Sequence, residues 1–89
     1  MQYEWDEKKR VANLARHNVD FSTAADFEWN TALETIDKRF DYAEERWVAL
    51  GYIGKRLHVL IYTFRAETIR LISLRRANKR EKEYYETQT

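Results

Sequence analysis

The sequence predicts a small α+β fold in which two N-terminal helices precede an antiparallel sheet of three to four strands and a last helix closes the chain. Apolar residues recur at helical spacing before Asn30 and at the two-residue spacing of strands after it. Capping signals then return at Asn78, where Glu81 completes a capping box for a helix that reaches to about Glu86. The 89 residues leave room for one domain, spanning 1–89.

Two helices are predicted in the N-terminal third of the chain. The first runs over Glu7–His17, because Asp6 is a good N-cap and Asn18 can adopt the left-handed conformation that ends helices. A second, shorter helix is predicted over Phe21–Trp29. The narrow apolar stripe of the first helix, of the kind that packs on a core, consists of Val11, Leu14 and Ala15.

The strands follow one another with short polar breaks between them. The predicted strands are Thr31–Asp37, Trp47–Ile53, Leu57–Phe64 and Thr68–Arg75. Residues 37–45 form a charged connection, and tight turns at 54–55 and 65–67 join the last three strands into an antiparallel meander. Both faces of the strand over 57–64 are apolar, so helices or a partner must cover both sides of the sheet.

A net charge of +1 hides a strong asymmetry between the two halves of the chain. Residues 1–45 carry six Lys and Arg against eleven Asp and Glu, whereas residues 46–89 carry ten against four. Most of the cations in the second half are Arg, whose planar guanidinium suits phosphate recognition. The basic half is therefore expected to contact a polyanion, although the same charges could simply solvate an ordinary domain.

Several classes of function lack their characteristic residues. The chain has no Cys, and His17 and His58 are not spaced as a metal site requires. Asp41, Glu44 and Glu45 form an acidic cluster of a kind that is common on surfaces. No phosphate-binding loop or nucleophile elbow occurs. We therefore expect no metal and no cofactor, and the absence of an apolar leader or membrane span predicts a cytoplasmic protein.

The end of the last predicted strand is the strongest candidate site. Regular alternation there would place Leu74 and Arg76 on the face of Arg70, and Arg75 with Leu71 on the other. More cations follow at once on the capped helix, namely Lys79, Arg80 and Lys82. A basic strand end of this kind binds phosphates in some proteins and is only a solvated rim in others.

Metal-free RNA cleavage fits the residues that remain. In this reaction the 2′-hydroxyl attacks its own phosphate, which requires a base, an acid and cations that stabilise the developing charge. Arg75 and Arg76 suit the cationic role. The candidate proton carriers are His17, Tyr62, Tyr84 and Glu45, and the candidate RNA-binding cations are Lys9, Arg70, Lys79 and Arg80.

Structural explanations compete with these functional ones. His17 can serve only as a cation at the negative end of the first helix. Tyr62 can be a core residue instead of an RNA-stacking ring, and His58 alternates with apolar residues as a core histidine would. The sequence therefore leaves three hypotheses open: a ribonuclease, a non-catalytic nucleic-acid-binding domain, and a module that only docks a partner.

An ordered series of residues over nearly the whole chain resembles the BrnT family of ribonuclease toxins. Its N-terminal members are Tyr3, Glu4, Trp5, Asp6, Lys9, Asn13, His17, Val19 and Phe21. Its middle members are Asp37, Arg39, Glu45, Arg46 and Gly51. Its C-terminal members are Arg56, Leu57, Val59, Tyr62, Thr63, Arg65, Ile69, Arg70, Ile72, Ser73, Arg75, Arg76, Ala77, Glu81 and Tyr84. The chain departs from the family pattern at Arg16, Leu74 and Asn78.

The resemblance implies a RelE-like ribonuclease fold and cleavage of free RNA that halts translation. It also implies neutralisation by a ribbon-helix-helix antitoxin of the BrnA type, and binding of operator DNA through that antitoxin. On this interpretation Arg75 and Arg76 hold the scissile phosphate, with His17 or a Tyr as proton carrier and Lys9 as an auxiliary cation. We expect the antitoxin to cover the region of the two arginines.

Overall fold

One mixed β-sheet organises the computed structural model, which describes residues 2–39 and 43–89. The elements in chain order are β1 (Gln2–Glu4), α1 (Glu7–His17), two 3₁₀ helices (Phe21–Asp26 and Trp29–Thr31), β2 (Leu33–Ile36), β3 (Trp47–Ile53), β4 (Arg56–Arg65), β5 (Thr68–Arg76) and α2 (Lys79–Gln88). The five strands of the described residues lie in the order β1-β5-β4-β3-β2. The α+β class is therefore confirmed, together with the meander β3-β4-β5 and the C-terminal helix.

The strand count and the purely antiparallel sheet were predicted wrongly. Residues 2–4 add β1, which pairs with the start of β5 in parallel, so that the sheet of the described residues has five strands instead of three to four. Three residues are too few to show a two-residue period. The predicted connection over 37–45 is described only at its ends, because residues 40–42, Asp41 among them, lie outside the described residues.

The second predicted helix is also wrong, because the chain forms short 3₁₀ turns instead of an α-helix over 21–29. Asp20 caps the first turn by accepting a hydrogen bond from the Ser22 amide, and the Thr23 amide bonds back to the Asp20 carbonyl three residues away. Phe27 then adopts an extended conformation and bridges to Ile53 of β3. That bridge fixes the segment to the sheet and prevents the helix from continuing.

The limits of α1 are confirmed, whereas the direction of its apolar stripe is not. Asp6 accepts from the Lys8 amide at 2.8 Å, and Asn18 ends the helix in the left-handed conformation. Val11 is 53% exposed and Leu14 37%, so the stripe faces outward. The buried residue of α1 is instead the polar Asn13.

Two apolar cores lie on opposite faces of the sheet. The face packed by the 3₁₀ segments, here called the 3₁₀ face, buries Phe21, Ala24, Phe27, Ala49, Leu60, Tyr62, Ile69, Leu71 and Leu74. The other, here called the α2 face, buries Leu50, Leu57, Val59, Ala77 and Tyr85. The prediction that both faces need cover is thus confirmed. Helix α2 is held there by Tyr85, whose hydroxyl donates to the Thr31 carbonyl at 2.8 Å.

A β-bulge changes which side chains of β5 share a face. The register shifts between Ile61 and Tyr62 of β4, so that Ser73 pairs with Ile61 and Leu71 with Tyr62, leaving one extra residue in β5. Leu71 and Leu74 therefore both lie in the core of the 3₁₀ face. The regular alternation predicted for β5 is wrong beyond the bulge, and Leu74 does not share a face with Arg70.

Candidate active site

Asn13 fixes α1 against the end of β5 that β1 leaves uncovered. Its side-chain amide donates to the Leu74 carbonyl at 2.7 Å and to the Val19 carbonyl at 3.0 Å, while its oxygen accepts from the Leu74 amide at 3.1 Å. One buried side chain therefore takes the place of a neighbouring strand at Leu74. This contact sets the distance between the C-terminal turn of α1 and the arginines that follow Leu74.

A polar cavity of about 180 Å³ lies between α1 and β5. Lys9 and His17 line it from the helix, and Ser73 lines it from the strand beside the bulge. Arg16, one residue before His17, adds another cation to the same wall. The structure thus brings Lys9 and His17, two of the predicted site residues, to one surface next to Ser73.

Arg75 lies on the α2 face, because it pairs with Val59, a residue of that core. Its Nη1 and Nη2 donate to the two oxygens of Glu81 at 2.8 Å each. The ion pair raises the pKa of Arg75 and lowers that of Glu81, and in each the hydrogen bond between them is the largest cause. Arg75 is thus held, fully charged, by the first turn of α2.

This ion pair uses the end of the Arg75 guanidinium and leaves the lateral edge, formed by Nε and Nη2, available to a further acceptor. A guanidinium has five N–H donors in a planar fork. Glu81 takes one from each terminal nitrogen, and the Arg76 carbonyl accepts a weaker one from Nη1 at 3.3 Å. Within the described residues Nε–H and the second Nη2–H have no acceptor. Those two donors form the same lateral pair with which Arg39 binds a carboxylate.

His17 lies within electrostatic range of Arg75. Burial lowers the pKa of His17 below its ordinary value of 6.5, and the positive charges of Arg16 and Arg75 lower it further. The imidazole is therefore neutral near pH 7 and able to accept a proton. A neutral base within electrostatic range of a charged guanidinium suits proton abstraction near a bound phosphate.

Two further charged residues belong to this surface, although no role there was predicted for either of them. The first is Glu81, which was predicted only as a capping residue. The second is Arg39, whose guanidinium is bidentate to the buried Asp37 at 2.9 Å and whose charge acts on Arg75. The contact of Glu81 with Arg75 and the effect of Arg39 on Arg75 both join different elements of the fold, so neither spacing nor alternation reveals them.

The predicted tyrosines occupy very different places. Tyr62 is fully buried on the 3₁₀ face and donates to Glu34 at 2.5 Å. Burial raises the pKa of its hydroxyl far above the ordinary value, and Glu34 raises it further. Tyr84 is 57% exposed on α2 and lines a groove together with Glu81. The structure therefore brings Tyr84, and not Tyr62, to the exposed surface beside the Arg75–Glu81 pair.

The remaining predicted cations are spread over the surface. Arg70 pairs with Glu4 of β1 at 2.6 Å, about 16 Å before Arg75 along the strand at roughly 3.3 Å per residue. Lys79 and Arg80 are exposed on the first turn of α2 and form no ion pair among the described residues. Arg76 lines a separate cavity between α2 and the turn from β3 to β4.

The other candidates from the sequence have structural roles or lie apart. His58 is buried, and its Nδ1 lies 2.8 Å from the Arg56 carbonyl, as expected for a core histidine. Glu45 is exposed, and its backbone carbonyl accepts from the Thr63 hydroxyl. Across residues 2–39 and 43–89, no three His, Asp or Glu side chains cluster closely enough to hold a metal ion. Within the same ranges no helix is long and apolar enough to cross a membrane.

Comparison with known proteins identifies the family of this chain. Residues 5–81 match the family described as the ribonuclease toxin BrnT of type II toxin-antitoxin systems. A search of curated proteins found no match. The matched range begins just before α1 and ends at Glu81, so that it contains His17, Arg75 and the partner of Arg75. The chain belongs to the BrnT family of type II toxin-antitoxin ribonuclease toxins.

Proposed function

We propose that this chain is an endoribonuclease that cleaves RNA without a metal ion, and that Arg75 holds the scissile phosphate. The observation that carries the proposal is the lateral pair of donors on Arg75, which is held by Glu81 within electrostatic range of His17. Arg binds two phosphate oxygens at once through such a pair and stays charged at any working pH. The charge that develops on phosphorus would therefore meet a fixed cation.

In the proposed reaction, His17 removes the proton of the 2′-hydroxyl. The 2′-oxygen then forms a bond to phosphorus while the bond from phosphorus to the 5′-oxygen breaks. A second group returns a proton to the departing 5′-oxygen, and Tyr84 is the candidate because it lines the groove beside Glu81. Lys9 adds positive charge from α1. The products are a 2′,3′-cyclic phosphate and a 5′-hydroxyl, so no water is consumed.

Purified chain incubated with single-stranded RNA should therefore cut it at an undiminished rate in the presence of a chelator. End-group analysis should find the 2′,3′-cyclic phosphate. RNA that is bound but never cut would instead support a non-catalytic nucleic-acid-binding domain. Loss of activity in chelator would contradict the metal-free mechanism.

The pH dependence of cleavage tests the role of His17. Because its pKa is lowered, activity should be retained down to below pH 6.5 and lost only as the imidazole becomes protonated. His17→Gln should abolish this acid limb and lower kcat by about 100-fold or more, the usual contribution of a general base. His58 also has a pKa lowered by burial. An acid limb that persists in His17→Gln would show that another group, such as His58, is titrating.

We further propose that the neutralising partner is a ribbon-helix-helix antitoxin of the BrnA type. A partner surface is supported by the outward apolar stripe of α1, where Val11 and Leu14 are exposed. We also propose that the chain has a RelE-like fold, acts in the cytoplasm and inhibits translation there. Its complex with the antitoxin would bind operator DNA through the antitoxin. A ribbon-helix-helix protein encoded beside this chain should co-purify with it and stop cleavage. Absence of a stable complex would contradict this assignment.

A further inference from the structure

A second cavity, of about 280 Å³, lies between α2 and the turn that joins β3 to β4. It is separate from the cavity beside His17. The charged and aromatic residues that line it are Tyr52, Lys55, Arg56, Arg76, Lys82 and Glu86. Four cationic residues thus contribute to the lining of one small cavity, together with a single acidic residue.

These four cations differ from other cations of β4 and β5 in having no ionic partner. Arg65, Arg70 and Arg75 are paired with Glu44, Glu4 and Glu81 respectively. The lining set of Lys55, Arg56, Arg76 and Lys82 forms no ion pair with any carboxylate in the described part of the chain. Glu86 lies in the same lining and is not bonded to Lys82, four residues before it.

Unpaired like charges around one cavity raise its potential and attract a multivalent anion. The walls are also well fixed, since the Ala77 amide donates to the Leu57 carbonyl at 2.8 Å and holds the end of β5 against β4. The Tyr52 ring is held edge-on to Tyr85, with centroids 5.5 Å apart. A cavity with a fixed backbone wall, an aromatic ring and cations at its rim suits a phosphate and its attached base.

The position of the cavity relative to Arg75 indicates which anion it takes. Arg75 and Arg76 are consecutive, with Cα atoms about 3.8 Å apart. Arg75 points to Glu81, and Arg76 lines this cavity. Glu81 and Lys82 are likewise consecutive on α2, one at each site. A single RNA strand crossing the start of α2 can therefore reach both places, and the exposed Lys79 and Arg80 lie along that path.

We propose that this cavity is a second phosphate subsite, which binds a backbone phosphate next to the scissile one. The inference rests on the proposed ribonuclease function and assigns Lys55, Arg56, Arg76 and Lys82 to substrate binding. It predicts that affinity for RNA depends on the cavity, while the chemical step depends on Arg75. A dinucleotide has only the scissile phosphate and cannot use the subsite.

The test is the double variant Lys55→Ala/Lys82→Ala against the control Lys8→Ala/Lys38→Ala, which removes the same charge from exposed lysines outside both cavities. On an RNA of about ten nucleotides, the cavity variant should raise KM about tenfold with kcat unchanged. On a dinucleotide both variants should match the parent chain. The slope of log binding constant against log salt should fall by about 0.7 in the cavity variant, since one single-strand phosphate contact contributes about that much.

Binding is measured by fluorescence anisotropy on RNA with a 2′-deoxy nucleotide at the cleavage position, so it does not require activity. Equal effects of the two double variants would overturn the subsite and leave the ribonuclease proposal intact. A parent chain that binds RNA through the cavity and never cuts it would overturn the ribonuclease instead. If the cavity variant lost affinity for duplex DNA but not for RNA, the cavity would serve another nucleic acid, and the inference would be overturned.

Discussion

Arg75→Ala should lower the rate of RNA cleavage by about 100- to 1,000-fold, the usual effect of removing a main transition-state contact. Arg75→Lys should restore little of that rate. Lys presents a point charge with three donors and no planar fork, so it cannot make two hydrogen bonds to Glu81 and two to a phosphate at once. The measurement is single-turnover cleavage of a defined RNA at saturating protein, which separates the chemical step from binding.

Arg65→Ala is the matched control for this experiment. It also removes an arginine with a carboxylate partner, Glu44, from a strand end, but Arg65 pairs with Thr68 at the opposite end of β5. Its cleavage rate should stay within a few-fold of that of the parent chain. Both variants should melt close to the parent temperature, which excludes misfolding as the cause. Cleavage by Arg75→Ala at the parental rate would refute the role given to this arginine.

Asn13→Ala should cost about 3 kcal/mol of unfolding free energy. The substitution leaves the Leu74 amide and the carbonyls of Leu74 and Val19 without their partner, and each orphaned buried group costs about 1–3 kcal/mol. For a chain of this size the loss corresponds to a fall in Tm of roughly 12–24 °C. Urea unfolding at neutral pH measures it directly.

Two other variants test the physical reason for this loss. Asn30→Ala removes an exposed asparagine from a 3₁₀ turn and should change stability by less than about 0.5 kcal/mol. Asn13→Asp keeps the acceptor for Leu74 but sets a carboxylate against two carbonyl oxygens, which favours its protonated form. Its deficit relative to the parent chain should therefore shrink as the pH falls. A stable Asn13→Ala protein would show that water replaces the side chain without cost.

Local signals in the sequence predicted the elements whose limits are set locally. Asp6, Asn18, Asn78 and Glu81 mark the ends of the helices by hydrogen bonds within a few residues, and the structure has each cap where the sequence placed it. The strand over 47–53 was predicted with its correct limits, because its apolar run is bounded by polar residues. Family membership was likewise visible, since it depends on residue types in order along the chain.

Features that arise from tertiary contacts could not be read in the same way. The bulge opposite Tyr62 depends on how β4 and β5 pair, and it reverses the face of Leu74 relative to the predicted alternation. The buried side of α1 is decided by Asn13, which satisfies the backbone of β5, although its neighbours Val11 and Leu14 suggested the opposite side. The same contact of Asn13 brings Lys9 and His17 to one cavity beside β5. Tyr62 is buried because distant segments of the chain form the core around it.

The carboxylate of Glu81 has a consequence for local unfolding of the chain. It accepts from the Asn78 amide at the start of α2, and at the same time from both terminal nitrogens of Arg75. The first helical turn and the guanidinium orientation are therefore one cooperative unit, and neither can open without breaking contacts of the other. Amide protons at the start of α2 should exchange at the rate at which Arg75 loses its fixed direction. The lifetime of the competent geometry is then the lifetime of a single turn of helix.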